Sequence, residues 1–214
     1  MTEPMSDRTT LHRYPQRGRH DRATIDAILD EGLLAHLGFV HDGRPVVIPT
    51  IHARLGDTVY LHGSVASRAM RTARTLPVCV TVTLLDGLVL ARSGFNSSMN
   101  YRSVLVFGDA REVVDQDEKR RALDRLVDHV LDGRMADLRP HTDLEMRQTT
   151  VLAVALDEAS AKVRSGGPAD DDEDLDATAW AGVVPLRLTA GTAEPAANLR
   201  PGIDTPTSVS DWHR

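Results

Sequence analysis

The feature that most constrains the fold is a series of short apolar segments separated by tight-turn dipeptides. Asp42-Gly43 divides the segment 33–41 from 44–55, and Gly56-Asp57 divides the latter from 58–62. Asp-Gly pairs are typical of two-residue hairpin turns, because both central residues of such a turn need a positive φ. Three strands joined in this way predict an antiparallel meander and not alternating β–α–β units.

Further strands are predicted along the rest of the chain. The apolar stretches 77–85, 103–114 and 149–156 have strand character, and the last continues less regularly to Arg164. Gly108 is expected to form a bulge within its strand. Pro49 interrupts the second strand, which indicates either a bulge or an edge position whose N–H is not needed.

Three helices are expected between these strands. Asp21 can cap a helix over 22–31 that ends at Gly32, and Asp115 or Asp117 can cap an amphipathic helix ending near Leu131. A short helix within 64–75 has Ser64 or Ser67 as its cap. The pattern predicts an α+β, mainly β fold: one small antiparallel barrel with a few peripheral helices.

The chain divides into an extended N-terminal segment 1–20, a barrel domain 21–166, and an acidic loop with a C-terminal arm over 167–214. Six acids fall within 170–176, and they account for the whole net charge of −6. The remaining body is therefore neutral, which argues against a nucleic-acid partner.

The composition also bears on location. No apolar run approaches the roughly 20 residues of a membrane span, and the N-terminus lacks the apolar core of a secretory signal. The single cysteine, Cys79, cannot form an internal disulfide. These features favour a cytoplasmic protein without a membrane partner.

The segment from His62 to Arg68 is a candidate anion site. Gly63 permits a close turn, Ser64 and Ser67 supply hydroxyls, and Arg68, with Arg71 as a second candidate, supplies a guanidinium. Together with the N–H groups at a helix start, this set suits a phosphate. The alternative is an ordinary serine-capped helix with an exposed arginine.

A second polar cluster precedes the strand that begins near position 103. Asn100, Tyr101, Arg102 and Ser103 place an amide, a phenol, a guanidinium and a hydroxyl side by side. The cluster is either part of a binding cleft or a polar turn whose tyrosine packs on the core. The chain has no dinucleotide-binding glycine fingerprint, P-loop or nucleophile elbow, which argues against Rossmann, NTPase and hydrolase functions.

The histidines at 36, 41, 52 and 62 alternate through the first hairpins. A histidine-rich sheet can bind a metal, but these residues lack the spacing of a known metal motif. Histidines satisfied within the core or at the surface are the simpler interpretation, and no metal is expected.

Several segments taken in order resemble the pyridoxamine 5′-phosphate oxidase-like flavoproteins, in particular the branch related to Nim-type nitroimidazole reductases. The similarity covers about 17–188. It includes Gly38-Phe39-Val40 with Asp42-Gly43-Arg44-Pro45, the stretch 60–68, the stretch 80–93 continuing to 104, Ala161-Lys162-Val163-Arg164, and 180–186.

This resemblance implies a split β-barrel that forms a homodimer and holds FMN at the subunit seam. Ser64, Ser67 and Arg68 would hold the FMN phosphate, and Ile48, Pro49 and Thr50 would run along the isoalloxazine ring. Asn100, Tyr101, Arg102 and Ser103 would complete the site, from the partner subunit in one arrangement, and His62 would lie near the flavin.

The resulting expectation is an FMN-dependent oxidoreductase that passes electrons from a reduced donor to a small oxidised acceptor, of the nitro or quinone type. The chain lacks the fuller set of Arg and Lys that pyridoxamine-phosphate oxidases use on their substrate, so that reaction is not expected. The alternatives are a non-catalytic protein holding flavin, deazaflavin or haem, with His36, His52 and His62 as the haem candidates, or a structural dimer with an empty groove.

Overall fold

The computed structural model describes residues 4–212, and within that range the chain forms ten strands and five α-helices. The strands are β1 (Gly18–Arg19), β2 (Leu34–His41), β3 (Arg44–Leu55), β4 (Thr58–Ser64), β5 (Pro77–Leu90), β6 (Ser98–Asp109), β7 (Arg111–Glu112), β8 (Thr149–Ala155), β9 (Glu158–Arg164) and β10 (Gly182–Pro185). The helices are α1 (Arg22–Glu31), α2 (Arg68–Ala73), α3 (Gln116–Val130), α4 (Asp143–Gln148) and α5 (Thr207–Ser210).

All the described strands belong to one antiparallel sheet. Its order is β1-β9-β6-β5-β2-β3-β4-β8-β7, and β10 pairs with the far end of β5. The predicted meander is therefore present as β2–β3–β4. The sheet curls until β6 approaches β8, where a Cβ added to Gly108 would lie 3.4 Å from Val154 Cγ1. The predicted split barrel is confirmed.

Two apolar clusters hold the fold together. Alternate residues of the strands fill the barrel interior, including Leu37, Val80 and Leu152, and α1 closes one end with Ile28 and Leu29. The second cluster lies on the outer face of β3, β4 and β8, where α3 packs. Its members include Ala53, Tyr60, Leu123, Leu126 and Val151.

The helix caps follow the sequence closely. Thr24 N donates to Asp21 Oδ1 at 2.9 Å, and Glu118 N donates to Asp115 Oδ1 at 2.7 Å. Ser67, not Ser64, caps α2 by accepting from Met70 N. A cap satisfies an N–H that the helix itself leaves without a partner, so each fixes the start of its helix.

The barrel is split where β3 and β4 diverge. Residues 52–55 of β3 pair with β4, whereas 44–51 pair with β2 alone among the described strands. From His62 onward, β4 pairs with β8 and with no other strand among the described residues 4–212. Pro49 lies opposite His36 with no shift of register. Of the two predicted roles for this proline, the edge position is correct.

Some predicted boundaries were wrong. Gly108 forms no bulge, since it pairs in register with Val78, and the β5–β6 irregularity lies between Leu85 and Gly87. Asp86-Gly87 therefore bends one long strand, and β6 begins at Ser98, earlier than predicted. The stretch 149–164 is a hairpin of two strands.

The terminal segments are more structured than their composition suggests. Residues 7–9 and 15–17 form 3₁₀ turns against β9, and Arg8 lies over the Phe107 ring at 5.6 Å while it pairs with Glu158. The acidic run is not simply a solvated linker, because the Asp170 side chain is only 3% exposed and lies 2.7 Å from Arg92 Nη1. No helix described between residues 4 and 212 has the length and apolar character needed to cross a bilayer.

Gly32 provides a test of how tightly α1 seals the barrel. A Cβ at this position would lie 2.3 Å from Cγ1 of the buried Val82, so Gly32→Ala should lower the free energy of unfolding by about 1–3 kcal/mol through overpacking. Gly94→Ala is the matched control, since a Cβ there meets nothing within 4 Å, and it should change stability by less than about 0.5 kcal/mol. Urea denaturation measures both, and equal stabilities for the two variants would contradict the packing argument.

Candidate functional site

A narrow slot lies along the unpaired edge of β3, on the side that faces the barrel interior. Ile48 and Val46 form one wall, Phe39 of β2 lies behind them, and Arg68 and Thr72 of α2 form the opposite wall. The slot measures about 210 Å³. It exists because β4 leaves β3 after Leu61 and the chain then turns into α2.

The turn that leads into α2 carries the predicted phosphate ligands. Ser64 Oγ accepts from Ala66 N at 3.2 Å, and Ser67 Oγ accepts from Met70 N at 3.4 Å. Each hydroxyl still has its own proton to donate. In the described range 4–212, no hydrogen bond or ion pair joins the Arg68 guanidinium to another residue. Arg68 therefore lines the slot and offers one cation to an anion, whereas Ser64 and Ser67 lie in the adjoining turn and are not part of the slot lining.

A second, larger cavity lies on the opposite face of β3, beneath α3. Its volume is about 560 Å³, within the range of small-molecule and cofactor sites. Ile51 of β3 contributes to one wall. Most of the remaining surface is apolar, from Leu123, Leu126, Val127, Val130, Leu131 and Leu138, and the polar lining residues are His62, Arg134, His141, Glu145 and Thr149.

His62 is the titratable group of this cavity that the sequence singled out. Burial lowers the pKa of His62 below its ordinary value of 6.5, because the charged imidazolium loses hydration, so the ring is neutral at pH 7. Its Nδ1 is buried and has no hydrogen-bond partner among the described residues. A neutral imidazole with an unused nitrogen is suited to bind a metal centre or to accept a proton.

His141 joins His62 in the cavity, although the two are far apart in sequence. It lies in the loop before α4, with its Nε2 3.1 Å from Asp124 Oδ1 of α3. This contact lacks hydrogen-bond geometry, so His141 Nε2 has no hydrogen-bond partner among the described residues. Sequence analysis missed His141 because a loop residue carries no periodic pattern.

The remaining predicted histidines lie elsewhere. His36 is exposed on the outer face of the sheet, and His41 lies beside Asp42 at the hairpin tip and lines the slot. His52 is fully buried; its Nε2 lies 3.0 Å from Leu29 O, and its ring contacts that of His129 in a tilted arrangement with the centroids 4.8 Å apart. Within the described residues, no group of three or more His, Cys, Asp or Glu side chains could hold a metal ion.

The cluster 100–103 does not line either cavity within one chain. Asn100 is buried and engaged with the protein, donating to Gly166 O at 3.0 Å and accepting from Arg164. Tyr101 is half-buried opposite Leu85, and Ser103 lies opposite Thr83. A binding role for these residues therefore requires a surface that a second subunit would reach.

Arg102 is held by two carboxylates. It donates to both oxygens of Asp86, at 3.0 and 2.8 Å, and to both oxygens of Glu31. These charge-assisted bonds raise the pKa of Arg102 and tie the end of α1 to the bend in β5. Its predicted contact with a flavin stays a prediction, and its observed contacts are structural.

The chain is similar in sequence and structure to several known proteins. A family model described as pyridoxamine 5′-phosphate oxidase matches residues 21–163. The flavocytochrome Anf3 from Azotobacter vinelandii is 40% identical, with a TM-score of 0.93 over 99% of both chains. The FAD and heme binding protein from Mycobacterium smegmatis is also 40% identical, with a TM-score of 0.87 over 92% of this chain and 97% of that one.

A more distant similarity extends the comparison. A candidate 5-nitroimidazole antibiotic resistance protein from Bacteroides thetaiotaomicron is 26% identical, with a TM-score of 0.56 over 68% of this chain and 86% of that one. A search of curated protein sequences found no match.

The lowered pKa of His62 predicts a specific pH dependence of stability. Below the ordinary value of 6.5 the unfolded chain binds a proton that the folded chain does not, so the free energy of unfolding falls as the pH is lowered from there toward the folded pKa. His62→Gln should therefore lose less stability than the parent protein between about pH 7.5 and about pH 5.5 in urea titrations. His12→Gln, at an exposed position, should retain the parent behaviour, and identical pH profiles for all three proteins would contradict the prediction.

Proposed function

The chain belongs to the pyridoxamine 5′-phosphate oxidase family, and we propose that it is a flavin-binding oxidoreductase that also binds haem. The observation that carries the proposal is the pair of cavities at the split. One is a slot with an arginine and a polar rim, and the other is an apolar cavity with two histidines. They lie on opposite faces of the same strand, where Ile48 lines one and Ile51 lines the other.

Flavin binding to the slot is supported by its chemistry. The unpaired edge of β3 over 48–50 presents free backbone groups to the polar edge of a ring, while Ile48 provides an apolar surface. Ser64, Ser67 and Arg68 supply donors to a phosphate. The two relatives at 40% identity are a flavocytochrome and an FAD and heme binding protein, which supports the same ligand class here.

The volume of the cavity under α3 and the donor atoms in its lining support haem binding there. Haem iron takes a His, Cys, Met or Tyr ligand, and His62 and His141 are the residues of those types in the lining. Burial lowers the pKa of His62 and so favours the neutral ring that binds iron, which makes His62 the better candidate for the axial ligand. Arg134 provides a cation for a propionate. His36 and His52, also candidates from the sequence, do not line this cavity.

Bound flavin and haem would supply the redox chemistry, and the protein would bind, orient and shield them. The acceptor class remains the one proposed from the sequence, a small oxidised molecule of the nitro or quinone type. The resemblance at 26% identity to a candidate nitroimidazole resistance protein supports the nitro class. A reducing cytoplasmic setting suits the unpaired Cys79.

We further propose that the protein functions as a homodimer. Leu34, Val40, Val47 and Ile51 are all exposed and lie on one outer face of β2 and β3, between 39% and 64% exposed. Several exposed apolar side chains on one face are typical of an interface. A second copy against this face would cover the outer side of β2 and β3, and its 100–103 cluster would reach a flavin in the slot only around the free edge of β3, because the slot lies on the inner side of that strand.

The two cofactor sites can be separated by reciprocal variants. In protein supplied with flavin and haemin, Arg68→Ala should weaken flavin binding about 10- to 150-fold through loss of a charge-assisted contact, and leave the Soret band intact. His62→Ala should abolish or shift the Soret band and leave the flavin bands intact. Absorption spectroscopy and titration measure both, and added imidazole should restore the Soret band of His62→Ala.

Each variant is the control for the other, because they line different cavities. Loss of both cofactors in both variants would indicate misfolding, which circular dichroism would reveal. A correctly folded parent protein that takes up neither flavin nor haem would contradict the proposed function. Flavin uptake without haem uptake would contradict only the haem site.

The dimer is tested at its most exposed apolar position. Val47→Asp places a charge on the apolar face and should convert the protein to a monomer. Val114→Asp is the matched control, since Val114 is 79% exposed beyond β7 and away from this face. Light scattering after gel filtration gives the mass, and a parent protein of monomer mass would contradict the proposal.

A further inference from the structure

The C-terminal arm contains a long segment that stands clear of its own barrel. Every residue from 187 to 208 is exposed, and we call the stretch 187–206 the outer loop. We propose that the outer loop of each copy lies against a second copy of the chain and contributes to holding the two together. This inference rests on the homodimer proposed above and adds a second contact surface to it.

The outer loop is fixed to its own chain at both ends. Before it, β10 pairs with β5 over Gly182–Pro185, and Leu186 N donates to Asp86 O at 3.0 Å. After it, α5 leads to Trp212, whose Nε1 donates to Val130 O at 3.3 Å, at the end of α3. With both ends fixed, a loop of this length can extend about 30 Å from the barrel, roughly half of its fully extended length.

Between these two anchors the loop makes few contacts with its own chain. Within residues 4–212, no hydrogen bond or ion pair joins 187–206 to the barrel, and the bond from Leu199 N to Ala196 O, at 2.9 Å, is internal to the loop. Connections longer than about 12–15 residues without secondary structure are uncommon, and many of them bind a partner. Ordering such a backbone costs conformational entropy, which contacts outside the chain would have to offset.

The side chains of the outer loop suit a protein surface. Leu188, Leu199 and Ile203 are 63%, 43% and 47% exposed, so three large apolar groups face solvent in a single copy. Prolines at 195, 201 and 206 restrict the backbone of the same stretch. A restricted loop loses less entropy when it binds, so these prolines favour docking over continued motion.

The position of the loop identifies a second copy as its partner. Met99, Leu88 and Val184 lie opposite one another on β6, β5 and β10, and they are 49%, 38% and 40% exposed. They lie on the outer side of the sheet, because Val104, an odd number of residues from Met99, lies in the barrel core. Since β2 neighbours β5, this row continues the exposed face of β2 and β3 proposed as the dimer interface. A partner on that face would meet β10, from which the outer loop departs.

The charge of the loop argues against other classes of partner. Its two cations, Arg187 and Arg200, are balanced by Glu194 and Asp204. A nucleic acid or an anionic membrane attracts a basic surface, and this loop has no net charge. The barrel is neutral as well, so a second copy fits the loop in charge as well as in position.

Photo-cross-linking in the full-length protein tests where the loop lies. Leu199 is replaced by p-benzoylphenylalanine, and the purified protein is irradiated at micromolar concentration. A cross-link between copies doubles the covalent mass, and we expect denaturing mass spectrometry to find this species. Leu144, 55% exposed on α4 beside β8, is the control position and should give only the mass of a single chain.

A double variant, Leu199→Asp with Ile203→Asp, provides an independent measurement. It replaces four apolar side chains per dimer by charged ones, so the dissociation constant of the dimer should rise at least about 100-fold in analytical ultracentrifugation. Leu144→Asp should leave the dissociation constant unchanged. Both loop positions are exposed in a single copy, so circular dichroism should show the parent fold in each variant.

The results separate the loop from the dimer itself. A dimeric parent protein whose irradiated chains keep the single-chain mass, or whose dissociation constant is unaffected by the double variant, would overturn the proposed position of the loop while the homodimer stands. A parent protein of monomer mass would overturn the homodimer as well. Uptake of flavin and haem is measured separately and is not decided by either outcome.

Discussion

The structure depends on one interruption of backbone pairing: β3 and β4 are paired from the turn between them only as far as His52 and Leu61. From that point β3 has a free edge over eight residues, 44–51. An unpaired edge inside a barrel exposes N–H and C=O groups that need partners. Pro49 removes one of those donors, and α2 and α3 cover the two faces beside the edge. Both candidate sites are consequences of this divergence.

Buried polar contacts hold the divergence in place. The last turn of α1 leaves carbonyl groups without helical partners, and two of them are met by histidines: His52 Nε2 lies 3.0 Å from Leu29 O and His129 Nε2 lies 2.7 Å from Gly32 O. The two rings contact each other at a tilt of 59°, which joins α1, β3 and α3 at one point. Since buried backbone groups are costly to leave unpaired, this contact fixes α3 over the cavity that carries His62.

Much of the fold follows from local sequence rules. Asp42-Gly43 turns the first hairpin, with positive φ at both residues, and Asp21 and Asp115 start their helices as predicted. These predictions are correct because turns and caps depend on a few neighbouring residues. Asp86-Gly87 is also an Asp-Gly pair, but it makes no hairpin turn, because the pairing of both β6 and β10 with β5 keeps the strand continuous through a bend. A turn signal is weak when partners on both sides extend the strand.

The sequence by itself determined the strand order of the meander, the helix boundaries and the polar turn with Ser64, Ser67 and Arg68, because each depends on periodicity or on contacts between near neighbours. Only the tertiary structure decided that His62 lies in a separate cavity with His141, that Arg102 is held by Glu31 and Asp86, and that Asp170 is buried against Arg92. These contacts join residues from 16 to 79 positions apart. Strand alternation tells which face a side chain takes, but what lies against that face is set by how the sheet closes and which helix packs on it.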